Sequence, residues 1–145
     1  MKNISFILLF FIFSPSLVFP AQIDDILGYW KSENKDPLNQ YKVMEISKNF
    51  IKDGGKKPQD IIVEKENSSM IIKFSEYKKI SNEMYDKLYY KITPINKDKI
   101  ILDYPTAGGT RNEWIYNRIT REDAQKYINT PINLGNLKPT EDPGF

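Results

Sequence analysis

Between residues 28 and 119 the chain breaks into short segments of alternating apolar and polar residues, each closed by a turn signal. This limits the fold more than any other feature. Gly28-Tyr29-Trp30-Lys31-Ser32 opens the series, and Lys35-Asp36-Pro37-Leu38-Asn39 turns the chain. Segment 41–47 follows, with Met44 and Ile46 on one face and Tyr41 and Val43 on the other. Phe50-Ile51-Lys52 runs into Asp53-Gly54-Gly55, a hairpin signal. Segment 60–66 carries Ile61 and Val63 inward, and segment 69–75 places Met70, Ile72 and Phe74 together. A polar connection is expected over 76–83, then a strand with Met84, Leu88, Tyr90 and Ile92 on one face. Pro94 is expected to end it, because proline cannot donate to a ladder. Segment 99–104 and segment 113–119 complete the set, with Trp114, Tyr116 and Arg118 sharing a face.

About eight strands with short turns, and no helical run of 10–15 residues between them, exclude a parallel βαβ fold. The pattern predicts an all-β domain, an antiparallel meander closing into a small barrel. Thr120 then offers an N-cap, with Glu122 and Asp123 in the first turn of a short C-terminal helix through Ala124, Tyr127 and Ile128. The expected division is a leader over 1–21, a barrel domain over 22–129 and a tail over 130–145 rich in Pro and Gly. The tail has few apolar groups to offset the ordering of its backbone, so mobility is expected.

Lys2 is the only charge before Asp24, and an apolar run from Ile4 to Phe13 precedes Ser14-Pro15 and Ala21. A short basic start, an apolar core and a small residue at the end read as a secretory signal peptide. A spanning helix needs about 20 apolar residues, and Pro15 and Pro20 interrupt this run, so no stable membrane anchor is expected. The implied location is periplasmic or secreted. Export with no Cys suits a bacterial periplasm better than an extracellular animal domain, where disulfides are common.

The chain has no His and no Cys. That removes thiol nucleophiles, imidazole bases, Ser-His-Asp sets and the usual zinc ligands. A net charge of +2 gives no case for nucleic acid. The acids sit mostly in turns and form no calcium-loop run and no recognisable catalytic pair. Gly54-Gly55 and Gly108-Gly109 lack phosphate-loop spacing. No catalytic residue, metal ligand or cofactor is therefore assigned, and the chain is not expected to be an enzyme. Nine Tyr and two Trp remain. They serve as strand core or as the wall of a binding cavity. Tyr90, Tyr104 and Tyr116 are the candidate ligand contacts, and Trp30 and Trp114 are expected to be buried structural residues.

Gly28-Tyr29-Trp30 resembles the G-x-W opening of lipocalin-like (calycin) barrels. In that family the Trp closes the barrel base and an Arg from the last strand packs across it. Asn117-Arg118-Ile119-Thr120 ends the last strand before a helix in the same way; Arg118 would be the matching Arg, with Arg121 second. Leu102-Asp103-Tyr104 is similar to the middle T-D-Y motif, with Leu in place of Thr. The resemblance covers 24–128, although the chain is shorter than a usual lipocalin and has no disulfide. It implies structural roles for Gly28, Trp30 and Arg118, an eight-stranded barrel, and a binding role. Two functions follow as expectations: an exported binding protein taking a small apolar ligand in the barrel or a protein on its surface, or a periplasmic inhibitor or immunity protein that blocks a toxin or hydrolase.

Overall fold

The computed structural model describes residues 20–129. The leader, apart from its last two residues, and the tail lie outside them. A single 3-10 turn at Ile23–Asp25 leads into β1 (Gly28–Lys35), β2 (Tyr41–Ile46), β3 (Phe50–Asp53), β4 (Gln59–Glu66) and β5 (Ser69–Phe74). Two helical turns follow, α1 (Ser75–Ile80) and α2 (Asn82–Lys87). Then come β6 (Tyr90–Asn96), β7 (Lys99–Pro105), β8 (Arg111–Ile119) and α3 (Arg121–Ile128). The strands form one closed antiparallel barrel in chain order, and β8 pairs back to β1 through Trp30 opposite Arg118 and Ser32 opposite Tyr116. Closure leaves no free sheet edge.

Period-2 alternation decides what goes inside. Trp30, Met44, Ile46, Ile51, Met70, Ile72, Phe74, Ile92, Ile100, Leu102 and Tyr116 are buried in one cluster. An eight-stranded barrel is just wide enough for such side chains to fill. Where β1 bends, its register against β2 shifts between Lys31 and Lys35. The buried Ser32 hydroxyl donates to the Asn34 carbonyl at 2.7 Å and accepts from the Lys42 amide at 2.8 Å, supplying bonds the irregular ladder lacks.

On the outer wall, α3 covers the face carrying Tyr41 and Val43. The Thr120 hydroxyl caps it by accepting from the Asp123 amide, as its sequence predicts. Ala124 and Val43 are buried between helix and sheet, and Tyr127 meets the Tyr41 ring edge-on at 6.0 Å.

Two expectations need correction. The β5–β6 connection is helical through Lys87, so Met84 lies on α2 and the strand begins at Tyr90. Met84 and Leu88 are four apart, a spacing that fits a helix face as well as a strand, and the Ser81 hydroxyl caps α2 by accepting from the Met84 amide at 3.0 Å. Pro94 does not end β6. It pairs opposite Ile100, and the register shifts between Pro94 and Asn96, an irregularity at which a missing donor is tolerated.

Candidate binding site at the barrel mouth

The two ends of the barrel differ because different residue types close them. At the base, Trp30 is fully buried and its Nε1 donates to the Ile26 carbonyl at 2.9 Å. The Arg118 guanidinium lies 4.2 Å from the centre of the Trp30 ring. Its Nε donates to the Lys97 carbonyl at 2.6 Å, its Nη2 to the Asp25 carbonyl at 3.1 Å and its Nη1 to the Leu27 carbonyl. One planar fork thus ties the N-terminal turn, the β6–β7 turn and the barrel floor together, which a lysine could not do. Arg118 fills the role that the sequence left between it and Arg121; Arg121 lines a separate hollow of about 110 Å³ under α3 with Tyr29, Glu45 and Gln125. Gly28 has φ +123°, and a Cβ there would stand 2.7 Å from Arg118 Nη1. Only glycine fits.

The other end opens on a cavity of about 50 Å³. Tyr90 from β6, Tyr104 from β7 and Tyr116 from β8 line it, with Met44, Ile51 and Leu102 as apolar wall and Lys42, Asp53 and Gln59 as polar groups. The three tyrosines singled out in the sequence therefore meet in one place. An aromatic chain continues from them: Tyr104 to Tyr90 at 6.2 Å, Tyr90 to Phe74 at 4.8 Å and Phe74 to Tyr77 at 5.5 Å. The two contacts that Tyr90 makes, with Phe74 and with Tyr104, are edge to face, the favourable geometry for ring quadrupoles.

Burial, with the Asp53 carboxylate as second cause, pushes the Tyr90 phenol up to about 12 and moves Tyr116 in the same direction. Both are therefore hydrogen-bond donors at any ordinary pH. Lys42 places its ammonium 4.5 Å from the Trp114 ring centre and 5.7 Å from that of Tyr104. Asp53 leans outward to Lys56 at 3.9 Å. Asp53 is the one carboxylate on the cavity wall, and among the described residues no three acids gather into a metal-ligand set.

Trp114 departs from expectation. It is only half-buried: β8 enters the barrel at the mouth, and the ring packs against the edge of the core there with the Lys42 ammonium over it. Lys42, Asp53 and Gln59 were not singled out in the sequence. The signal for Lys42 was present, since it stands two residues before Met44 and four before Ile46 on the inward face. Asp53 follows Ile51 by the same step, and Gln59 precedes Ile61. No helix among the described residues is long and apolar enough to cross a membrane. No family model, curated protein or solved structure matches the chain.

Proposed function

We propose that the chain is an exported, non-enzymatic binding protein of lipocalin-like build, and that it binds at the barrel mouth. The observation carrying this reading is the convergence of Tyr90, Tyr104 and Tyr116 on one cavity whose opposite end is sealed by Trp30 and Arg118. Pockets that swallow a whole organic ligand are typically about 300–1,000 Å³. At about 50 Å³ this cavity admits only a small group, so the bulk of a ligand rests on the rim. The lipocalin-like assignment draws on the G-x-W opening and the Arg-over-Trp base, and the export assignment on the leader.

The test is a titration of isotope-labelled 22–145 with a panel of small aromatic and carboxylic compounds, followed by amide chemical shifts. Saturable shifts should fall on the mouth ends of β2, β3, β6, β7 and β8. Saturable shifts confined to the base or to α3, or no saturable shift with any compound, would reject the mouth as the site.

A second reading, an inhibitor or immunity protein, is favoured by Leu38 and Ile80. These are 60% and 66% exposed and sit on the two connections, β1–β2 and β5–α1–α2–β6, that border the same mouth. A protein partner resting there would present one side chain or chain end to the cavity. A pull-down from periplasmic extract with Leu38→Ser/Ile80→Ser as control separates this reading: it requires a single stoichiometric partner, lost in the double variant.

A further inference from the structure

We infer that the group the mouth cavity receives is a carboxylate monoanion, held by the Lys42 ammonium and by tyrosine hydroxyls; the inference rests on the mouth being the binding site.

The first support is an excess of donors. Tyr116 is 3% exposed and lines the cavity, and its hydroxyl makes no hydrogen bond to another described residue. No side-chain nitrogen or oxygen among the described residues is sealed from open space without a partner, so the Tyr116 hydroxyl opens onto the cavity. Tyr90 and Tyr104 line the same space, and their hydroxyls likewise have no partner among the described residues. Open to the cavity and without a protein partner, these hydroxyls are free to donate to an acceptor that enters it. An ionised carboxylate offers two oxygens and about four acceptor positions and donates nothing, which matches them.

The second support is Lys42. Its ammonium has no carboxylate within ion-pair distance among the described residues, although Asp53 lines the same cavity. It is held on the faces of Trp114 and Tyr104 instead. Ring faces attract a cation without consuming its N–H donors in hydrogen bonds, so the ammonium keeps donors for an incoming anion.

The third support fixes the charge and size. Lys42 and Asp53 cancel formally, and a dianion such as phosphate would meet the Asp53 carboxylate without a second cation on the cavity wall. A monoanion meets less repulsion, and Asp53 already leans away toward Lys56. Met44, Ile51 and Leu102 supply an apolar wall for the carbon next to the carboxylate, and about 50 Å³ suits a group of that size. Gln59 can donate or accept and adds no preference.

The same chemistry arrives on a free short-chain acid or on the end of a peptide, and the experiment separates these. Labelled 22–145 is titrated with propionate, with its neutral isostere propionamide, and with the tripeptide Gly-Gly-Ala carrying a free or an amidated C-terminus. Propionate should shift mouth amides saturably, and propionamide should bind at least about tenfold more weakly, the factor expected for one lost charge-assisted hydrogen bond. Lys42→Met should remove that preference at an unchanged melting temperature. Tyr116→Phe should weaken propionate by about tenfold while leaving the fold intact. A free-terminus peptide binding more tightly than propionate assigns the site to chain ends; the reverse assigns it to free acids. Propionamide binding the mouth as well as propionate, or Lys42→Met retaining the preference, overturns the carboxylate and leaves the mouth site standing. Absence of mouth shifts with all of these probes overturns the carboxylate as well, and the wider compound panel then decides the mouth site on its own.

Discussion

Arg118 lies across Trp30 with its guanidinium 4.2 Å from the ring centre, and the two residues face each other in the pairing of β8 with β1. The contact sits at the seam where the first and last strands close the barrel. It therefore joins residues 88 positions apart in sequence and ties them to the N-terminal turn through the Asp25 and Leu27 carbonyls. A cation over an indole, with its donors spent on backbone carbonyls, fixes position as well as energy.

Trp30→Ala should destabilise by about 3–5 kcal/mol, the usual range for removing a large aromatic from a core. Gly28→Ala is the sharper test, because it removes nothing. Its cost is backbone strain at φ +123°, about 1–3 kcal/mol, plus displacement of Arg118 Nη1. Urea unfolding gives both values. A Gly28→Ala protein as stable as the parent would show that the base does not need the close approach.

Tyr90 gives a pH dependence of defined sign. Its phenol moves from 10.0 to about 12 on folding, mainly through burial. Between those values the unfolded chain has lost its proton while the fold keeps it, so stability is flat below about 10 and falls as pH rises toward 12. Tyr90→Phe has no such proton. The urea midpoint of the parent should therefore fall relative to that of Tyr90→Phe between pH of about 10 and 12. A constant gap, or one that moves the other way, contradicts the burial of the phenol.

Thr120→Ala removes the hydroxyl that caps α3 and should cost about 0.5–2 kcal/mol. The loss should appear first as faster amide exchange in α3 and over Val43, which the helix covers. The mouth ends of β6 and β7 should be unaffected, because α3 packs on β1 and β2.

Most of the barrel was legible because turn chemistry and alternation agree at each hairpin. Gly54 and Gly109 adopt positive φ at two turns, and Asn67 does so at a third. The connection after Phe74 was not legible, since Met84 and Leu88 fit either period and the cap at Ser81 is a single hydroxyl. For the site, residue type alone pointed to the tyrosines. Lys42, Asp53 and Gln59 lie on β2, β3 and β4, while the tyrosines lie on β6, β7 and β8. Only closure of the barrel brings the two groups across one cavity, and closure is a property of the whole sheet that no local pattern carries.

The contrast between the two tryptophans yields the last expected outcome. Trp30 is 0% exposed, whereas Trp114 is half-buried at the rim with the Lys42 ammonium 4.5 Å from its ring. Iodide is an anionic quencher that needs contact, so it should reach Trp114 and be drawn there by Lys42, while Trp30 stays silent. Trp114→Phe, which leaves Trp30 as the one tryptophan, should abolish most iodide quenching of the tryptophan emission. Lys42→Met should reduce quenching by iodide more than quenching by neutral acrylamide, because only the first depends on charge. Adding salt at about 1 M, where the screening length falls to about 3 Å, should shrink the difference between parent and Lys42→Met. Equal iodide and acrylamide losses in Lys42→Met would mean that the substitution had merely reshaped the rim. A Trp30 signal open to iodide in Trp114→Phe would mean that the base is not sealed, and the Arg118 contact would then have to be transient in solution.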